Sequence, residues 1–145
     1  MRIRDFLLLV YDALSPQLPK PLREHEWRVR WSLLQVYFEQ PRVHYEVWVQ
    51  RKAARIEVGL HFEEEREESY RWAEALAPRA LEIQAQLGPG VELEEWTKSW
   101  TRLHETLPLR GDLTEELAAE LAQRLVRFIE VLEPILAEER AAAVG

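Results

Sequence analysis

An α+β fold is what this sequence predicts: two layers, with helices on one face of a five-stranded, mainly antiparallel sheet, in the order α-β-β-β-α-β-β-α. Three observations predict it. Residues 42–65 hold two strand-length runs of alternating apolar and polar residues that can fold back on each other. Residues 91–109 hold a second such pair. Three longer stretches, at 3–14, 64–87 and 112–140, repeat their apolar residues at helical spacing instead. The 145 residues, 47% of them hydrophobic, suit a single domain over 1–145 that can bury a core of its own.

The first helix places Ile3, Phe6, Val10 and Leu14 on one side. It ends before SPQLPKP, where Pro16, Pro19 and Pro21 forbid regular structure. EWRVRWSLLQVYFEQP alternates as a strand, but its phase changes midway. Trp27, Val29, Trp31 and Leu33 share one parity, and Leu34, Val36 and Phe38 the other. A β-bulge at Ser32–Leu34 reconciles the two within one strand and sets Trp27 and Trp31 on the inner face. The rival is a helix with Trp27, Trp31, Leu34 and Phe38 on one stripe; the density of aromatic and β-branched residues favours the strand.

In the next hairpin Val43, Tyr45, Val47 and Val49 must share a face with Ile56, Val58, Leu60 and Phe62, which requires a loop of even length. A loop at Arg51–Ala54 pairs Gln50 with Arg55, His44 with His61 and Trp48 with Glu57. Residues 64–87 form a helix, with Tyr70, Ala73, Leu76, Ala80, Ile83 and Leu87 inside, a break at Pro78 and a stop at the GPG of 88–90. The last hairpin turns at Thr97–Ser99. Trp96 then meets Trp100, Leu93 meets Leu103, Glu94 meets Arg102 and Glu92 meets His104. Asp112 and Glu115 read as a capping box for a closing helix that runs to about Arg140, bent at Pro134, with a frayed AAAVG tail.

Composition excludes several functions. With no Cys there are no disulfides, thiolate metal sites or thiol nucleophiles. The net charge of −7 repels phosphate backbones and anionic lipid, and no broad Lys/Arg stripe offsets it, so nucleic acid is a disfavoured partner. No stretch reaches the roughly 20 apolar residues of a membrane span, and the short run in MRIRDFLLLVYDAL is bounded by Asp5 and Asp12. A cytoplasmic protein is expected. Absent Asn, a single Met and an excess of Arg over Lys fit either a thermophile or a GC-rich genome. There is no G-x-S-x-G elbow and no phosphate-binding Gly loop.

Over residues 42–136, HYEVWVQRKAARIEVGLHF, LGPGVELEEWTKSWTRLHETL and the closing amphipathic helix resemble a family of domains of unknown function. Its members often stand at the C-terminal end of restriction-endonuclease-like chains. The shared features are the strand patterns and LEEW followed by TRL, none of them catalytic. The resemblance implies an accessory domain near nucleic-acid or defence systems. The E-x-K triplet of such nucleases is absent, because Glu95 and Lys98 in EEWTK stand one residue too far apart.

Function, on this reading, sits on the sheet face away from the apolar one. His44 and His61, opposite each other with Glu46 and Glu57 near, could hold Zn²⁺ or another divalent ion, but the preferred reading is a polar cross-strand pair on a solvated face, with no metal. The glutamates of FEEEREESY fit the start of a helix through its dipole. Trp48, Trp96 and Trp100, with Arg102, read as an interface, as a small second core under the proline-rich loop, or as stacking rings for bases. The leading expectation is a non-enzymatic binding or adaptor domain, without cofactor, whose open face (Trp48, Trp96, Trp100, Arg102, Glu46, Glu57) pairs with itself as a homodimer or with a protein partner. The alternatives are a nucleic-acid or defence accessory and a metal-dependent hydrolase on His44, His61 and Glu46.

Overall fold

A computed structural model describes residues 1–144. Phe6, Leu7, Val10 and Leu14 wind Ile3–Leu14 into helix α1 and are all buried. The proline segment follows as two single 3-10 turns, Ser15–Gln17 and Lys20–Leu22, each with a proline in its first turn.

Strands β1 (Glu26–Arg30) and β2 (Leu33–Tyr37) then pair antiparallel across a two-residue turn, Trp31–Ser32. This corrects both the bulged strand and the helix expected here. A bulge and a two-residue turn change residue parity alike, so the phase change in the sequence does not tell them apart. The usual mark of a tight turn, Gly or Asn, is also missing, because Trp31 itself takes the left-handed conformation at φ 53°. The sheet therefore has six strands, not five, and the order is α-β-β-β-β-α-α-β-β-α. Trp27 and Trp31 leave the core as well. Trp27 stacks on Tyr11 at 3.8 Å on the helix side but lies at the sheet edge, 39% exposed, and Trp31 at the turn is 75% exposed. Leu34 and Val36 are the buried apolar residues of this hairpin.

Strands β3 (Val43–Gln50) and β4 (Arg55–Phe62) pair over their whole length in the expected register, with His44 opposite His61 and Trp48 opposite Glu57. The middle helical stretch breaks at Pro78 as its sequence demands. Helix α2 (Arg66–Leu76) and helix α3 (Ala80–Leu87) are joined by one 3-10 turn, and Gly88 ends the run at φ 106°. Strands β5 (Glu92–Glu95) and β6 (Thr101–Pro108) keep the predicted register, including Glu94 opposite Arg102 and Glu92 opposite His104.

The closing helix α4 spans Glu115–Val144 with Pro134 inside it. Its cap is a correction: the Thr114 hydroxyl accepts the Leu117 N–H at 3.1 Å, so Asp112 lies outside the helix and the Asp112/Glu115 box does not form. The helix also continues through the alanines expected to fray; Gly145 lies outside the described residues.

The strand order is β1-β2-β3-β4-β6-β5, antiparallel throughout. Its inner face (Leu34, Val47, Val58, Leu60, Phe62 and Leu103 among others) meets the buried stripes of α1 and α4. Polar ties fix the helices on this side. The Tyr45 hydroxyl donates to Glu133 of α4 at 2.7 Å, and the buried Thr101 hydroxyl donates to the Ser69 carbonyl of α2 at 2.9 Å. Each fully buried Leu, Val or Phe contributes about 1.5–3 kcal/mol, so this single layer of contacts is the main stabilising term. Among the described residues no helix is long and apolar enough to cross a membrane.

One position brings two strands of the layer unusually close. Gly59 on β4 lies between Glu46 on β3 and His104 on β6. A Cβ there would stand 2.7 Å from the His104 Cβ and 2.7 Å from the Leu103 carbonyl oxygen. Ordinary cross-strand Cβ atoms are about 4.5–5.5 Å apart. Only glycine lets β4 and β6 approach this closely, and the side chains flanking it are gathered together on the outer face.

Candidate metal centre on the outer face of the sheet

Strand alternation puts His44, Glu46 and Trp48 of β3 on the outer face with Glu57 and His61 of β4 and Arg102 and His104 of β6. No helix covers this face, yet it is not the solvated surface expected. His61 and Glu57 are 0% exposed, and His44, Glu46, Gln35 and His104 are also buried. Glu46 and Glu57 are thus corrected from surface residues to members of a polar core.

The tryptophans cover that core in part. Trp96 stands edge-on to His61 at 5.6 Å, contacts Trp48 at 6.3 Å and Trp100 at 6.0 Å, and carries the Arg102 guanidinium 4.6 Å above its ring. Trp48, Trp96 and Trp100 are each half-buried. Arg102 closes the group from β6, pairing with Glu57 and with Glu94 at 2.6 Å.

The hydrogen bonds inside the group define its chemistry. His44 Nδ1 donates to the Pro41 carbonyl at 2.8 Å, and a carbonyl can only accept. A neutral His44 therefore presents a lone pair at Nε2. That atom lies 3.1 Å from Glu46 Oε1 and 3.7 Å from Glu63 Oε2, which are lone-pair atoms too. His61 meets carboxylates on both sides, with Nε2 2.5 Å from Glu57 Oε2 and Nδ1 3.1 Å from Glu63 Oε2. Glu46 Oε2 is also within 3.4 Å of His61 Nε2. The rings stack 5.5 Å apart; the Gln35 amide, 3.3 Å from His44 Nε2, can donate to that lone pair, whereas His61, with a carboxylate at each nitrogen, needs an extra proton or a cation to satisfy both.

His44, Glu46, His61 and Glu63 each bring one donor atom into a set whose members all lie within 4.8 Å of one another. Around a tetrahedral ion with bonds near 2.1 Å, ligand atoms are about 3.4 Å apart, so the set must draw in by about 1 Å. Glu63 follows β4 in a loop, and its side chain, 21% exposed, is the least constrained of the four. Both imidazoles already have the outer support that metal-bound histidines use. His44 is held by the Pro41 carbonyl, and His61 by Glu57, itself held by Arg102.

Without a metal the cluster keeps a proton on His61. Burial alone would lower its pKa, but Glu46, Glu57 and Glu63 together raise it to about 10. Burial pushes Glu57 and Glu63 upward, and the histidines, with Arg102 beside Glu57, hold both below the usual carboxylate value. His104 goes the other way: burial, then Arg102, lowers its pKa, and neither ring nitrogen has a hydrogen-bond partner among the described residues. The linkage signs follow. His61 stabilises the fold fully below its unfolded value of 6.5, and this is lost as pH rises toward 10. The His104 contribution is lost as pH falls below 6.5, and those of Glu57 and Glu63 below 4.5. Denaturant midpoints of the metal-stripped protein, measured from pH 4 to 10, are therefore expected to peak near pH 6.5. A midpoint still rising at pH 9 would contradict the charged His61.

The sequence pointed to His44, His61, Glu46 and Glu57, and the structure brings all four together. It did not point to Glu63, Gln35, Arg28 or the burial of His104. Glu63 was legible in principle, since 57, 59, 61 and 63 share one parity, but the run of glutamates drew it into the next helix. Gln35, which donates to Glu46 at 3.4 Å and accepts from Arg28 at 2.6 Å, was hidden by the misplaced turn. Comparison of the chain with protein-family models, with curated proteins and with solved structures finds no significant match in any of the three.

Proposed function

We propose that this protein is a non-enzymatic binding domain that holds one divalent first-row metal ion, Zn²⁺ first among them, between His44, Glu46, His61 and Glu63. One observation carries the reading. One potential ligand atom from each of His44, Glu46, His61 and Glu63 converges to within 4.8 Å of the others, and His61 has a carboxylate at each ring nitrogen. Two imidazoles with two carboxylates suit Zn²⁺ and its neighbours better than Mg²⁺ or Ca²⁺, which favour all-oxygen shells. Burial of three of the four ligands supports a structural or sensing site rather than the open position hydrolysis needs. A resemblance to accessory domains is compatible with that role.

Chelator-stripped protein titrated with Zn²⁺ by calorimetry is expected to bind one equivalent. At a free ion concentration a hundred times Kd, the added stability is about 2.7 kcal/mol, or roughly 10 °C in Tm. Glu63→Gln, the change least disturbing to the fold, is expected to remove most of that gain. Binding of neither Zn²⁺, Co²⁺ nor Mn²⁺ by the folded, stripped protein would overturn the proposal.

A second reading keeps the outer face as a docking surface for a protein partner or a second copy. It is supported by the open portions of Trp48, Trp96 and Trp100 beside Arg102. Self-association of this kind is lost in Trp100→Ala, measured by light scattering; a dimer that survives the change defeats it.

A further inference from the structure

We infer that two copies of this chain pair through the open edge of β1, joining their sheets into one. The outermost strand is β1, with no neighbour beyond it. Which of its groups are free follows from the hydrogen bonding. The Val49 N–H donates to the Ser32 carbonyl at 3.0 Å, so Ser32, Leu34 and Val36 bond toward β3 and Leu33, Gln35 and Tyr37 toward β1. Their partners Arg30, Arg28 and Glu26 therefore bond inward, and the N–H and C=O groups of Trp27 and Val29 point outward. That edge is an unused antiparallel template.

The side chains choose the occupant and the register. A two-fold axis through Trp27 sets Glu26 opposite Arg28 of the second copy, and Arg28 opposite its Glu26, on the outer face. On the helix side it sets Trp27 against its counterpart, extending the Tyr11–Trp27 stack of each copy. An axis through Arg28 would set arginine against arginine, and one through Val29 would set Arg28 against Arg30, so both are disfavoured by like charge. In the favoured register every charged pair has opposite signs, and the exposed indole of Trp27 leaves water. Trp27 and Trp31 are among the most exposed large apolar residues of the chain, and both lie on this hairpin. Five strand residues make a small interface, so the association is weak, in the micromolar range rather than the nanomolar.

Light scattering of the wild-type chain across the micromolar range is expected to give a concentration-dependent dimer, and hydrogen exchange to give slowed Trp27 and Val29 amides at high concentration only. Val29→Pro removes an outward N–H while sparing the bonds to β2, so the variant is expected to fold and remain monomeric. Glu26→Arg puts like charges together twice and is expected to raise Kd about tenfold or more; adding Arg28→Glu restores the pairing. Neither Val29→Pro nor Glu26→Arg touches the outer cluster, whereas Arg28→Glu also removes the Arg28–Gln35 contact, so the pairing is read on the stripped protein, which is expected to dimerise as the loaded one does. A wild-type monomer at all concentrations, a dimer indifferent to both Val29→Pro and Glu26→Arg, or one lost only in Trp100→Ala would each overturn the edge contact.

Discussion

Replacing His61 by alanine is expected to cost the metal-free protein about 3–5 kcal/mol, the largest loss from any single change outside the apolar core. The reason is what remains. Glu46, Glu57 and Glu63 all approach His61 to 3.4 Å or less. Glu57 is fully buried and would keep only its share of Arg102, while Glu46, also buried, would lose its 3.4 Å contact with the His61 imidazole. Deleting one partner of a buried charged group exposes the full desolvation cost of the others. Urea denaturation at pH 6.5 measures it. Part of the loss should return at pH 4, where the orphaned carboxylates can protonate. A loss below about 1 kcal/mol at pH 6.5 would mean the cluster is wetter than its burial indicates.

Gly59→Ala is the second large effect. The methyl group would lie 2.7 Å from a backbone oxygen and 2.7 Å from the His104 Cβ, neither of which is the end of a flexible chain. The strands must separate, which costs about 3 kcal/mol and loosens the outer cluster with them. Metal affinity is expected to fall in the same variant, because the set has to contract to bind. Calorimetry on Gly59→Ala beside a conservative core change of similar cost, such as Leu60→Ala, separates the two contributions. If both variants bind Zn²⁺ as the wild type does, the glycine serves packing alone.

Much of the sheet was readable before the coordinates because pairing constraints over-determine it. Parity required an even loop, which Arg51–Ala54 satisfies, and the register of β5 on β6 followed from the agreement of Glu94 with Arg102 and Leu93 with Leu103. The first hairpin was not readable for an equally physical reason. A bulge and a two-residue reversal leave the same alternation, and Trp31, a bulky residue at positive φ, carries no turn signal. The site was legible only as a list. Alternation showed which residues share the outer face, but a face without a covering helix reads as wet. Its dryness comes from the close approach at Gly59 and from the Trp96 and Trp100 rings of the loop between β5 and β6, distances that no residue pattern encodes.

The two rims of the sheet differ in kind. The β5 rim is four residues long, and three of them are Glu92, Glu94 and Glu95. Two such rims brought together antiparallel would set carboxylate against carboxylate in most alignments, and the strand is too short to compensate. Growth of the sheet through two β5 rims is thus disfavoured. Two copies joined through β1 would leave only these glutamate-lined rims exposed, which guards such a pair against the open-ended stacking that leads to fibrils.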